Sequence, residues 1–396
     1  MGLGETMAIN TIIHDALDFM KKSKLDGWLI YDYKGSNNVM SEILGQLENV
    51  TRPIFLWIPV SGRPELLVSY VDLGQFSGID LHKEIFVGRS DMVNKLQNLL
   101  KAKSNIAMEY SPFAELPKLS SVDAGTIELI KTLGVSVHSS ADMVVYATQR
   151  WNEDGLDSHI QSGEILGGIV IKAFEFIGEN INKGLTEIDV RNFIRTKFDE
   201  NKMFYDEGPV VAINEHSSDP HFDPDISDGR EFKVGDWVLI DLWAKRDVMA
   251  SIFSDITWVG FIGNNLPPVI QEVFDIVINA RDIAVLEINK RFEELMPIYG
   301  WEVDKIARDY INELGYGDYF THRLGHSIGS EVHASGVNLD SLETVDKREI
   351  IPGIGLTVEP GIYLPEFGVR SEIDIYITEK GVKVTTPVQK SIVIIN

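Results

Sequence analysis

Three of the nine histidines fall in one stretch, THRLGHSIGSEVH, as His322, His326 and His333. Imidazole is the commonest metal-binding side chain and the usual general base near neutral pH, so chemistry is expected here first. His322 and His326 stand four apart, the spacing at which two histidines share one helical face in a zinc protease. That chemistry needs a glutamate directly after the first histidine, and Arg323 stands there instead. Gly325 and Gly329 argue against a stable helix, while letting the backbone come close to whatever the imidazoles serve. The histidines therefore need partners from elsewhere in the chain. Alone, the stretch also reads as a glycine-rich turn with ordinary surface histidines.

Carboxylates stand at four places where a core strand should be apolar. In VGDWVLIDLWA, alternation puts Trp237, Leu239 and Asp241 on one face. SDITWVGF opens with Asp255, which shares a face with Thr257 and Val259. In TVEPGIY, Glu359 ends an apolar run at the turn Pro360-Gly361. GVRSEIDIYIT, read as one strand, puts Arg370, Glu372 and Asp374 on a single face. A lone buried carboxylate is costly unless it is paired or bound to a cation. Taken singly, each aspartate also reads as a strand-end residue bonded to the backbone, and the charged face of the last strand also reads as an exposed sheet face. Taken together, Asp241, Asp255, Glu359, Glu372 and one histidine make the oxygen-and-nitrogen set that two hard divalent cations need. Their negative charges balance two such ions if His326 binds neutral, and without metal their repulsion raises some of their pKa values.

The elements that must position these groups follow from periodicity. Residues 10–145 read as alternating helices and strands: a helix over 10–23, strands at GWLIYDY, IFLWIPV and ELLVSY, a helix at DMVNKLQNLL, and strands at NIAMEY and VSVHSS. This predicts an N-terminal α/β domain over 1–150, with KGSNN at 34–38 as a polar turn that either lines a site or simply faces solvent. The boundary falls in the polar run QRWNED. Over 151–396 a long helix carries Leu166, Ile169, Val170, Ala173, Phe174, Ile177 and Ile181 at three- and four-residue steps and ends at Gly184. Thr186 is the expected N-cap of the next helix, with Asp189 three residues on. The segment GPVVAINEHSSDPHF holds a short strand and then His216 and His221 in a loop, each a ligand or merely solvated. Further helices start after Pro267-Pro268 and around Val303, the latter closed by Gly315. Strands and helices mix throughout, an α+β arrangement.

Bulk composition narrows the chemistry. A chain of 396 residues points to about two domains. The 60 acidic against 36 basic side chains give a net charge of -24, which repels nucleic acid and anionic membranes, so neither is expected as a partner. The absence of cysteine excludes disulfides and thiolate chemistry and leaves oxygen and imidazole to hold any metal. No apolar run of spanning length and no signal segment are present, and a cytoplasmic protein is expected.

The ordered set of Asp241 in LIDLWA, Asp255 in SDITW, His326 in GHSIGSEVH, Glu359 in TVEPGIY and Glu372 in VRSEID resembles the dinuclear metallopeptidases of the pita-bread fold, peptidase family M24. The preceding α/β domain is similar to the N-terminal domain of the aminopeptidase P, prolidase and creatinase branch. The resemblance implies a C-terminal pita-bread catalytic domain and two divalent ions per chain, manganese, cobalt or zinc. Asp241 would chelate one ion, Asp255 and Glu372 would bridge both, and His326 with Glu359 would complete the other. It further implies a bridging hydroxide that attacks a peptide carbonyl, with Glu359 as general base and acid. His333 would face the substrate and the developing oxyanion, and His221 would lie on the facing loop in preference to His216. His322 would support from behind, and Arg370 would orient Glu372. The implied activity is hydrolysis of Xaa-Pro bonds, as an aminopeptidase or dipeptidase, by a homodimer. A hydrolase or lyase acting on a non-peptide small molecule and a catalytically silent binding protein are the competing readings.

Four features depart from the family pattern. Asp241 and Asp255 stand 14 positions apart, a long connection expected to bulge over the pocket. Arg323 replaces the usual glycine, Ala334 follows His333 where an acidic residue is common, and Lys347-Arg348 does not clearly supply the arginine that grips a dipeptide carboxylate in prolidases.

Overall fold

The computed structural model describes residues 3–45, 47, 49–222 and 229–396. The chain forms two compact units, Met1–Arg150 and Trp151–Asn396. In the first, the order is α1 (Leu3–Ser23), β1 (Gly27–Asp32), α2 (Asn38–Leu44), β2 (Ile54–Pro59), β3 (Glu65–Ser69) and β4 (His82–Phe86). It continues with α3 (Arg89–Leu99), β5 (Asn105–Met108), α4 (Ala124–Thr132), β6 (Ser136–Ser139) and α5 (Ala141–Thr148). The strands make one mixed sheet in the order β4-β3-β2-β1-β5-β6. Trp28, Ile30, Leu56 and Ile58 face a core shared with Met20 of α1, Met40 of α2 and Val144 of α5. Leu29, Tyr31, Phe55 and Trp57 alternate into an opposite core with Leu96 of α3 and Ile130 of α4. A strand covered on both faces must be apolar at successive positions, which is why GWLIYD and IFLWIP are continuous apolar runs. The polar turn at 34–38 is tied down from within: Asp32 accepts the Gly35 and Asn37 N–H groups, and Asn37 caps α2 and donates to the buried Glu109.

The second unit begins with α6 (Glu153–Asn180), α7 (Glu187–Glu200), β7 (Met203–Phe204), β8 (Val210–Ile213), β9 (Trp237–Arg246) and β10 (Ser254–Ile262). Then come α8 (Pro268–Glu293), α9 (Gly300–Glu313), β11 (Ser327–Ile328), β12 (Gly355–Val358) and β13 (Gly361–Leu364). Strands β14 (Phe367–Arg370), β15 (Ile373–Thr378), β16 (Gly381–Val384) and β17 (Val393–Ile395) complete it. One sheet runs β17-β10-β9-β7 with β8 also on β9, a second runs β11-β12-β15-β16, and β13 pairs with β14. α6 starts well before its apolar stripe because Asn152 caps it by accepting the Gly155 N–H. The Thr186–Asp189 capping box at α7 is present.

Strands β9 and β10 are antiparallel, with Thr257 opposite Asp241 and Asp255 opposite Trp243. Val238, Ile240 and Leu242 of β9 and Ile256 of β10 pack on Leu166, Val170 and Phe174 of α6. The intervening odd positions, Asp241 and Asp255 among them, are thereby turned to the opposite face. The stretch GVRSEIDIYIT is not one strand: β14 ends at Arg370 and pairs with β13, while β15 starts at Ile373 and pairs with β12. Ser371 and Glu372 carry the chain from one sheet to the other, and Glu372 N–H donates to Thr257 O at 3.3 Å, docking this crossing on β10. Arg370, Glu372 and Asp374 are all buried, which excludes an exposed sheet face.

Candidate metal centre

The odd face of β9 and β10, the Ser371–Glu372 crossing and the start of β11 converge on one point. Ligand atoms of Asp255, His326 and Glu372, all buried, lie within 4.8 Å of one another. Glu359 joins them at the end of β12, its Oε1 3.5 Å from His326 Nε2, while Asp255 Oδ2 is 4.0 Å from the same nitrogen. Gly325 makes this approach possible, because a Cβ there would sit 2.1 Å from Thr357 O. The backbone of His326 is then locked by its N–H to Thr357 Oγ1 and by Thr357 N–H to its carbonyl. His326 Nδ1 lies 3.0 Å from Ser327 O. A carbonyl only accepts, so Nδ1 carries the proton, and in the neutral ring Nε2 presents its lone pair toward the two carboxylates.

Asp241 sits at the other side of the cluster. Its Oδ2 is 2.6 Å from Arg370 Nη2, and Thr257 Oγ1 lies 3.1 Å from its Oδ1 and 2.8 Å from Glu372 Oε2. Arg370 also donates to Thr257 Oγ1 and to Tyr363 Oη. Tyr363 Oη is 2.8 Å from His322 Nε2, and His322 Nδ1 is 2.6 Å from Arg323 O. By the same carbonyl argument Tyr363 donates to a neutral His322, whose pKa burial and the Arg370 charge bring down to about 3. His322 thus supports Asp241 through Tyr363 and Arg370. Arg370 does not hydrogen-bond Glu372 as expected. It grips Asp241, and its hydrogen bonding reaches Glu372 through Thr257.

The cluster is electrostatically strained without a cation. Burial, then the charges of Glu372 and Asp241, push the Asp255 carboxyl well above its usual range. Burial, then Glu359 and Asp241, do the same to Glu372. Glu359 is pushed up to about 7 by burial, against the pull of Arg370 and Arg323. Asp255 Oδ1 and Glu372 Oε1 are buried and accept no hydrogen bond among the described residues, a rare and costly condition for carboxylate oxygens. Unpartnered oxygens, an imidazole lone pair and excess negative charge are together what a hard divalent cation satisfies.

The remaining expected residues are placed as follows. The His333 ring is 4.4 Å from that of His326, and its side chain is exposed. His221 is exposed, with its N–H on Asp219 Oδ1. His216 is committed elsewhere: its Nδ1 is 2.9 Å from both oxygens of the buried Glu187, and its ring stacks on Phe222. The Arg323 guanidinium is 3.8 Å from Glu343 at a partly exposed edge. Arg348 is buried and holds Asp346 and the carbonyls of Ser335 and Gly336, so it fixes the loop after His333. In the connection from β9 to β10, Val248 and Met249 are exposed while Ile252 and Phe253 are buried, Phe253 packing with Ile328 and Val332. Thr257 and Tyr363, central to the hydrogen bonding, were not singled out by sequence. Thr257 shares the face of Asp255 and was legible as a neighbour, whereas nothing local marks Tyr363.

Residues 162–379 match the family described as metallopeptidase family M24, and the chain belongs to that family. It is 31% identical over 241 residues to an uncharacterized peptidase of Staphylococcus saprophyticus, covering 60% of this chain and 63% of the relative. The match thus spans less than two thirds of that relative's length. Among solved structures it is similar to a dipeptidase from Mycobacterium ulcerans, with a TM-score of 0.75, 20% identity and 98% of each chain covered. It is also similar to an Xaa-Pro dipeptidase from Bacillus anthracis, with a TM-score of 0.67, 22% identity, and 98% and 99% of the two chains covered. The fold is accordingly that of the pita-bread metallopeptidases with an N-terminal domain. No helix among the described residues is long and apolar enough to cross a membrane.

Proposed function

We propose that the chain is a dinuclear metal-dependent exopeptidase that hydrolyses Xaa-Pro bonds. The observation that carries the metal reading is the buried trio of Asp255, His326 and Glu372 with carboxylate oxygens left without a donor. Asp241, Asp255 and Glu372, with His326 and Glu359, would hold the ions. Against four carboxylates the site sets one buried guanidinium, Arg370, and the remaining negative charge exceeds what one divalent ion neutralises. Bound divalent cations supply polarisation of a carbonyl and acidification of water. The protein's own groups do the rest. Glu359 takes a proton at its carboxylate and returns it to the leaving amine. His333, exposed beside His326, donates to the oxygen on which negative charge develops. His221 faces the substrate from the opposite loop. Arg370, braced by Tyr363 and His322, keeps Asp241 oriented. Proline preference is supported by likeness in fold to proteins named Xaa-Pro dipeptidase and prolidase.

A panel of Xaa-Pro dipeptides and longer Xaa-Pro peptides, offered to manganese- or cobalt-loaded protein, tests the reading. Proline-dependent cleavage of at least one set is expected, and elemental analysis should find close to two ions per chain. Tight metal binding with no cleavage of either set would instead favour a small-molecule hydrolase or lyase. Trp243 standing opposite Asp255 and the long 247–253 connection are the features that support this second reading.

A further inference from the structure

Two buried ionisable side chains stand behind the metal centre without belonging to it. His159 of α6 and Asp374 of β15 are both fully buried, 3.7 Å apart. Asp374 Oδ2 accepts the N–H of Asp255 and the hydroxyl of Ser254, each at 2.8 Å. His159 Nδ1 is 2.6 Å from Phe253 O, and its Nε2 is 2.7 Å from Thr385 Oγ1. Since Phe253 O only accepts, Nδ1 carries the proton, and Nε2 faces Thr385 Oγ1, which also lies 3.1 Å from Asp374 O. Burial brings that imidazole down to about 4. The two side chains also share an anchor, because Thr385 N–H donates to Asp374 O and Asp374 N–H donates to Thr386 Oγ1.

The consequence is a grip on three successive residues: the carbonyl of Phe253, the hydroxyl of Ser254 and the N–H of Asp255. This is where the chain leaves the 247–253 connection and enters β10. The Asp255 carboxylate itself is held by little: Oδ1 accepts no hydrogen bond, and Oδ2 is 4.0 Å from His326. Its orientation is therefore set through its backbone. An apolar pair in place of His159 and Asp374 would fill the same space at lower desolvation cost, but it would leave the Asp255 N–H unbonded and the strand start unfixed.

We propose that Asp374 and His159 are positioning residues that clamp residues 253–255 so that Asp255 presents its carboxylate to the metal in one orientation. This rests on Asp255 being a metal ligand. It is tested on the full chain without substrate, by calorimetric titration of metal-free protein with manganese and by the visible spectrum of the cobalt-loaded form. Asp374→Leu removes the acceptor and is expected to weaken the first manganese affinity about 10- to 100-fold and to change the cobalt spectrum. Asp374→Asn keeps an accepting oxygen for the Asp255 N–H and should return both readouts close to wild type. If Asp374→Leu does not fold, the double variant Ser254→Ala with His159→Asn decides by the same two readouts. A cooperatively melting variant of either kind with wild-type affinity and an unchanged spectrum overturns the proposal. Wild-type protein that binds no manganese sinks the metal reading instead, so the two failures are told apart.

Discussion

In the proposed mechanism Glu359 is the residue on which proton transfer turns. Its carboxyl, pushed up to about 7, lies 3.5 Å from His326 Nε2 and receives a weak bond from Thr357 at 3.3 Å. Glu359→Gln keeps the shape but cannot move a proton, so turnover of a cleaved Xaa-Pro peptide should fall to background while the melting temperature holds. In the proposed mechanism His333 acts at a different step. His333→Ala should lower kcat by roughly 100-fold, the scale of removing one oxyanion donor, with a smaller effect on KM. Steady-state kinetics checks both, and an unaltered rate in either variant removes that residue from the mechanism. The histidine triplet of THRLGHSIGSEVH divides by environment: His326 faces carboxylates, His322 stands behind Tyr363, and His333 is exposed.

At the scale of elements, the decisive contact is between the Leu324–Ile328 segment and β12. Leu324 O accepts the Glu359 N–H, and His326 exchanges bonds with Thr357, so the histidine and the glutamate are held by one short ladder. Gly325 is the point of closest approach. Gly325→Ala should force the two segments apart, costing about 1–3 kcal/mol as an overpacking change and weakening manganese binding more than a surface Gly→Ala change of equal stability cost. Denaturant melts paired with metal titrations would show this, and wild-type values in both would mean that the segments tolerate the separation. The same reasoning explains one misread element. GVRSEIDIYIT alternates except at Ser371, and hydrogen bonding divides it between two sheets there; alternation cannot report which partner each half will find.

For the whole molecule, a buried site crowded with carboxylates ties stability to pH and to metal. In metal-free protein the folded pKa of Glu359 is raised from 4.5 to about 7, and Asp255 and Glu372 are raised well above their usual range. Groups with raised folded values bind more protons in the native state, so their favourable contribution is complete below the unfolded value and is lost as pH rises through the folded one. The melting temperature of metal-free protein should therefore drop between about pH 5 and 8. Manganese should flatten this dependence and release protons on binding; a metal-free melting curve that does not weaken over that interval contradicts the assignment. What the sequence by itself determined was the alternation of elements, the two-unit division it predicts and the five residues the proposed dinuclear site needs, because periodicity and a charge inside an apolar run are local signals. Only the tertiary structure decided that Arg370 grips Asp241, that Arg348 is spent on the loop after His333, that His216 belongs to Glu187, and that His159 and Asp374 stand behind Asp255. Each of those pairs is far apart in the chain or split between sheets, and a hydrogen bond's choice among several acceptors depends on packing that no local pattern encodes.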